Sequence, residues 1–206
     1  MYKPDLPGGD LLLFAGDLTH SGSEKQIKEM LEYLDRQPYE YIVMIAGNHD
    51  FGFENNSICI RELIPKRIIY LENESCEIEG LNIWGSPYSP WFLDWAFNLA
   101  RGEAIRKVWN QIPENTDILI THGPPHGVLD QNQNGECCGC EELLGRAHDI
   151  RPRLHLFGHI HEGYGSYEEK DLNVIFLNAS IESNTSVSNE PICLEWFENI
   201  GPVLLA

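Results

Sequence analysis

Leu11-Leu12-Leu13-Phe14-Ala15-Gly16-Asp17 is an apolar run that ends on a glycine and a carboxylate. Five uncharged apolar residues bounded by polar positions read as a strand buried on both faces, and Gly16 lets the chain turn tightly as it leaves the sheet. Asp17 then stands at the strand's carboxyl end, the edge of an open α/β sheet where ligands collect. The same pattern recurs in residues 41–50, which end Gly47-Asn48-His49-Asp50, in residues 118–123, which end Thr121-His122-Gly123, and in residues 154–161, which end Gly158-His159-Ile160-His161. Four strand ends carrying metal-ligand side chains imply one shared site.

Length and composition bound the rest. A chain of 206 residues suits one domain, 1–206, large enough to bury a continuous core. Asp and Glu number 32 against 14 Lys and Arg, a formal charge of −18. So acidic a chain repels polyanions, which argues against nucleic acid or an anionic membrane surface as a partner. Residues 1–10 hold two prolines and two glycines but no apolar core flanked by basic residues, so they do not read as a secretory signal. No apolar run approaches the roughly 20 residues of a membrane span. Six cysteines without small-scaffold spacing fit reduced thiols and a cytoplasmic setting.

In chain order, residues 3–9 form a polar opening loop. Ser21 to Ser23 can cap a helix whose apolar positions Ile27, Met30, Leu31 and Leu34 follow helical spacing and which ends before Pro38. A strand over 41–46 follows, and the strand, helix, strand order places Asp17 and Asn48 on the same edge of a parallel sheet. Residues 57–63 read as a short helix stopped near Pro65, with strands over 68–71, 76–78 and 81–85. Helices are expected over 103–109 and 140–147, and strands over 118–120 and 154–157. Residues 173–177 and 192–197 alternate well enough to be a terminal antiparallel pair. Between 86 and 98, Tyr88, Trp91, Phe92, Trp95 and Phe97 crowd together before Arg101. This segment either walls a pocket for a nucleobase or aryl group, with Tyr88 and Trp91 stacking and Arg101 near a phosphate, or is a packed aromatic loop that closes the core.

Each motif has a plain structural reading beside its chemical one. Asp17 offers two oxygens and can bridge two cations, although strand-end aspartates commonly cap turns or helices. Asn48 can donate its amide oxygen to a metal, and His49 can serve as a proton donor once Asp50 holds its ring nitrogen; the alternative is a polar turn. His122 precedes Gly-Pro-Pro, a rigid frame that fixes the direction of its imidazole. His159 and His161, one residue apart, point to the same side of an extended segment, and such a pair is costly to bury unless ligated or hydrogen-bonded. Coincidence explains any one of these motifs better than it explains all of them.

The ordered set Gly16-Asp17, Gly47-Asn48-His49-Asp50, His122-Gly123 and Gly158-His159-Ile160-His161 resembles the calcineurin-like metallophosphoesterase superfamily. Thr121-His122-Gly123-Pro124-Pro125, Arg151-Pro152-Arg153-Leu154-His155 and the stretch over 157–165 are similar to its branch of metallophosphoesterase-domain-containing proteins. The resemblance implies a four-layer αββα sandwich and hydrolysis of phosphoesters with two divalent metal ions. It implies one metal held by Asp17, Asn48, His122 and His159, a second that shares Asp17 and takes His161, and His49 at the phosphate or leaving oxygen with Asp50 behind it. The superfamily's first motif, an Asp-x-His at the end of a first strand, has no counterpart here. Weakened binding of the second ion and self-association through the uncovered neighbouring strand are therefore expected.

The reaction implied is in-line attack on phosphorus by a metal-bound hydroxide, with His49 protonating the leaving alkoxide. The His, Asn and carboxylate set suits Mn, Fe, Zn or Co. Small phosphodiesters, cyclic nucleotides among them, are the substrate class the branch implies, and an aromatic wall can stack on a base. Three other readings stand beside this one. A nuclease of the same superfamily would want a basic groove, which −18 opposes. A catalytically weakened or inactive binding or regulatory protein would look like this scaffold without its first motif. A zinc module at Cys137-Cys138-x-Cys140 lacks a second paired set.

Overall fold

In the computed structural model, residues 3–183 and 188–205 are described. In chain order the elements are β1 (Gly9–Ala15), α1 (Glu24–Asp35), β2 (Tyr39–Ile45), α2 (Phe51–Asn55), α3 (Ser57–Glu62), β3 (Ile68–Tyr70), β4 (Glu74–Ile78), β5 (Leu81–Ser86) and the two-residue strands β6 (Ser89–Pro90) and β7 (Asn98–Leu99). There follow α4 (Glu103–Trp109), β8 (Ile118–Thr121), α5 (Glu141–Ile150), β9 (Leu154–Phe157), β10 (Gly165–Glu169), β11 (Val174–Asn178), β12 (Leu194–Phe197) and β13 (Gly201–Leu204).

Two sheets face each other between helices. One has the order β1-β2-β3 and the other β10-β11-β9-β8-β5-β4. α1 begins where Ser23 accepts a hydrogen bond from the Gln26 amide, and its buried stripe is Ile27, Met30, Leu31 and Leu34. That stripe packs with Ile42 and Met44 of β2 and with Leu12 and Phe14 of β1. Burying each such side chain is worth about 1.5–3 kcal/mol. The opposite face of the first sheet, Val43, Ile45, Leu11 and Leu13, meets Ile83, Ile118, Ile120, Leu154 and Leu156 of the second. The far face of the second sheet carries Trp84 and Leu119 against Ile105, Val108 and Trp109 of α4 and Leu143 of α5, with Phe157 and Phe176 against Ala147. Helix, sheet, sheet, helix is the four-layer arrangement expected from the sequence.

Register explains why the site forms. β1 and β2 are parallel, with Leu11 opposite Tyr41 and Ala15 opposite Ile45, so Asp17 and Asn48 leave the sheet at one edge. In the second sheet β5, β8 and β9 are also parallel, with Ser86 opposite Thr121 and Ile120 opposite Leu156. Their carboxyl ends deliver His122 and His159 to the same end of the sandwich.

Three expectations change. β1 does pack on both faces, but Leu11 to Ala15 all stay partly exposed, because among the described residues β1 pairs with β2 alone. Its open side borders a groove of about 1520 Å³ that runs from Leu6 to Asp17. The terminal antiparallel pair does not form. β11 lies between β9 and β10, and β12 instead makes a hairpin with β13. Val174, Phe176 and Leu177 are all buried, the mark of an inner strand covered on both faces. β10 was not expected, since Gly165–Glu169 is a polar, largely exposed edge strand with no apolar alternation to betray it. All six cysteines are free thiols. Among the described residues, no helix is long and apolar enough to cross a membrane.

Candidate metal centre

Asp17, Asn48, His122 and His159 converge at the carboxyl edge of both sheets. The Asn48 amide oxygen lies 2.7 Å from His122 Nε2 and 2.9 Å from His159 Nδ1. Asp17 Oδ1 is 3.4 Å from His122 Nε2. Asp17, His122 and His159 each offer a ligand atom within 4.8 Å of the others'. Asn48 and His122 are buried, with 5 % and 1 % of their surface exposed.

The donor set fits a cation. His122 Nδ1 lies 3.0 Å from the Ala15 carbonyl, so that nitrogen carries the proton and donates it. Nε2 is then a lone pair aimed at two further acceptors, the Asn48 and Asp17 oxygens, with no proton between them. A divalent ion among these atoms would turn that repulsion into coordination, and the Ala15 carbonyl fixes the imidazole's tautomer. His159 is equally available. Burial, and then neighbouring His122, push its pKa from 6.5 down to about 3, so it is neutral at neutral pH. For Asp17, burial works to raise the pKa, but His122, the His49 amide at 3.0 Å and His159 more than offset it and hold the carboxyl below its ordinary value.

Local backbone pays attention to this geometry in two ways. Asp17 and His159 adopt left-handed φ of 56° and 69°, a conformation costing of order 1–3 kcal/mol at a non-glycine residue. Gly47 permits close approach: a Cβ there would lie 2.4 Å from Asp17 Oδ1 and 2.6 Å from His122 Cε1.

His161 departs from the expected extended pair. The left-handed turn at His159 redirects the chain, and His161 opens a short 3₁₀ turn, His161–Gly163. It lines the groove together with Asp17, His49 and His159 but lies outside the three-residue cluster.

Asp50 is also corrected. It does not hold the His49 ring. Its carboxylate, fully buried, accepts hydrogen bonds from the amides of Leu18 (2.9 Å), Thr19 (2.8 Å) and Gly47 (2.8 Å) and from the Thr19 hydroxyl (2.8 Å). Burial, followed by Asp17, raises its pKa to about 6. Asp50 thus ties the 17–20 loop to the 47–50 loop. The 17–20 loop in turn presents the His20 carbonyl, which accepts from His49 Nδ1 at 2.9 Å.

The aromatic segment divides. The Tyr88 ring meets Phe97 edge-on at 5.6 Å and packs between two core clusters, so it closes the core. Trp91 is 61 % exposed and does not line the groove. Arg101 does not face the centre either. Its guanidinium donates to the carbonyls of Gly139 (2.7 Å) and Cys138 (2.9 Å) and pairs with Glu141, holding the 138–141 loop. Within this segment Trp95 meets His49, its ring centroid 4.4 Å from that of the imidazole. Cys140 is buried against Trp109, and among the described residues no cysteine joins a metal-binding cluster. Asn178 was missed although it follows the strand-end pattern: fully buried, it donates to the carbonyls of Ile160 (2.8 Å) and Leu129 (3.1 Å) and steadies the 158–161 turn.

The calcineurin-like phosphoesterase family model matches residues 2–163, which include Asp17, Asn48, His122 and His159. The chain belongs to the calcineurin-like phosphoesterase family. It is 40% identical over 215 residues to human metallophosphoesterase domain-containing protein 1, covering 92% of this chain and 65% of that protein. It is 29% identical over 160 residues to a probable cyclic nucleotide phosphodiesterase of Synechococcus sp., covering 75% of this chain and 59% of that one. The chain therefore spans less than two thirds of the length of either relative. A crystal structure with 15% identity superposes with a TM-score of 0.55 over 76% of this chain and 63% of that chain, a likeness of fold. For a calcineurin-like phosphoesterase, the Asp17, His122 and His159 cluster is where a divalent metal ion can be held.

Proposed function

We propose that this calcineurin-like phosphoesterase is a divalent-metal-dependent hydrolase of small phosphodiesters, cyclic nucleotides among them. The observation that carries the proposal is the set of facing acceptors: Asn48 Oδ1 lies 2.7 Å from a His122 nitrogen whose proton is committed to Ala15. When bound, a divalent metal supplies Lewis acidity toward the phosphoryl oxygen and lowers the pKa of bound water. Asp17, Asn48, His122 and His159 would hold the tighter ion, and Asp17 with His161 would hold a weaker one. Mn, Fe, Zn and Co all suit this set.

The chain's own groups do the rest. His49 donates Nδ1–H to the His20 carbonyl, so it acts as a proton donor from Nε2 in its imidazolium form, with both ring nitrogens protonated. As water adds to phosphorus and loses one proton to solvent, the bond to the leaving oxygen breaks with its electron pair on that oxygen, which takes the Nε2 proton and becomes a hydroxyl, released as an alcohol from an acyclic ester or kept on the opened ring of a cyclic one. The charge of −18 favours small substrates over nucleic acid, and the Synechococcus relative favours a cyclic nucleotide. A cytoplasmic setting accords with the free thiols. The test is turnover of bis(4-nitrophenyl) phosphate and of 2′,3′- and 3′,5′-cyclic AMP with added Mn. Activity abolished by chelator and by His122→Ala is expected; metal-saturated protein that hydrolyses none of the three overturns the proposal.

A further inference from the structure

The His49 ring is held by more than one hydrogen bond. Besides the Nδ1 contact to the His20 carbonyl, the Trp95 indole lies 4.4 Å from its centroid at 51°, and the His20 ring stacks on it at 5.7 Å and 22°. Trp95 is itself anchored to the metal-site loop. The Ala96 amide donates to the Asn48 carbonyl at 3.1 Å, the Phe97 amide to Glu54 at 2.8 Å, and the Asn98 side chain to the Trp95 carbonyl at 2.6 Å. Trp95 is partly buried and its ring also meets Phe51 at 5.9 Å and 32°, whereas the preceding Trp91, Phe92 and Leu93 are 61 %, 62 % and 57 % exposed.

We propose that Trp95 is a positioning residue that fixes the plane of the His49 imidazole, so that Nε2 meets the leaving oxygen of the phosphodiester. The inference rests on the reading of His49 as the proton donor. One hydrogen bond at Nδ1 leaves the ring free to swing about that contact, since the imidazole torsion is broad. A swing of roughly 30° moves Nε2 by about 1 Å, a misplacement of the order that costs about 10²-fold. The indole face blocks that swing. Its anchoring to the Asn48 carbonyl means that metal loop, proton donor and indole move as one unit.

The experiment uses the full chain with saturating Mn and two substrates that differ in the need for a proton. Methyl 4-nitrophenyl phosphate releases a stabilised phenoxide, whereas methyl phenyl phosphate releases a more basic one. Trp95→Ala is expected to lower kcat on methyl phenyl phosphate by about 10²-fold and on the nitrophenyl ester by less than about threefold, with KM unchanged. Trp95→Leu, which keeps apolar volume without a ring face, should behave as Trp95→Ala, and Trp95→Phe should recover most of the loss. Equal loss on both substrates in the Ala and Leu variants overturns the positioning role. His49→Ala separates the two levels. If it is selective for the phenyl ester while the Trp95 variants are not, only the role of Trp95 falls. If His49→Ala is indifferent to the leaving group, the proton-donor reading falls, and this inference with it.

Discussion

Gly47→Ala isolates the geometry of the centre from its chemistry, because it alters no ligand. The added methyl would lie 2.4 Å from both the backbone nitrogen and Oδ1 of Asp17 and 2.6 Å from His122 Cε1, where ordinary contact begins at 3.4 Å. Relieving it requires a shift of about 1 Å between two ligands that coordination tolerates to within about 0.2 Å. The neighbours are backbone and a hydrogen-bonded imidazole, so neither yields cheaply. The expected result is a loss of roughly 10²-fold in Mn affinity, about 2.7 kcal/mol, by isothermal titration. Overpacking should also lower stability by about 1–3 kcal/mol. Gly145→Ala is the control: its Cβ meets nothing within 4 Å, and it lies inside α5, where alanine should stabilise by about 0.5–1 kcal/mol with metal affinity unchanged. If Gly47→Ala binds Mn within about threefold of the parent, the close-packed ligand geometry is refuted.

Other outcomes follow from the same structure. His122→Ala should cost far more Mn affinity than His161→Ala, because His122 belongs to the clustered ligands and His161 does not; equal losses by titration would contradict the assignment. His155 is fully buried among Phe157 and Phe176, and burial drives its pKa from 6.5 down to about 3. The folded state therefore leaves it neutral where the unfolded chain protonates it, so its contribution is intact above pH 6.5 and is lost progressively as pH falls toward 3. The decline should approach about 1.4 kcal/mol per pH unit below that midpoint, and urea unfolding of His155→Phe between pH 7.5 and 5 should show a flatter dependence by about one proton. The open side of β1 should support strand addition from a second copy, so Leu13→Lys should shift sedimentation toward monomer; a parent chain monomeric at high concentration would exclude this.

The convergence of these side chains was legible because each ends an apolar strand, a local pattern that one register and one sheet edge convert into a cluster. Asp17, Asn48, His122 and His159 all satisfied it, and Asn178 satisfied it unnoticed. Asp50 was misread because its partners, Leu18 and Thr19, lie on another loop more than 30 residues earlier, and adjacency to His49 suggested the nearer contact. Trp95 could not be told from Trp91 or Tyr88, since an irregular segment has no period from which to infer which ring meets His49. Arg101 looked free in sequence, but the 138–141 loop folds back to offer it two carbonyls. The four layers were implied by the family resemblance, whereas strand and helix spacing supplied the individual elements. β10, a polar edge strand, carried no such spacing.

The most direct test of the central claim is anomalous diffraction from crystals of the chain soaked in Mn. The account predicts a peak bonded to Asp17, Asn48 Oδ1, His122 Nε2 and His159 Nδ1, with any second peak weaker and beside Asp17 and His161. Full metal loading with no peak among those four side chains would contradict it.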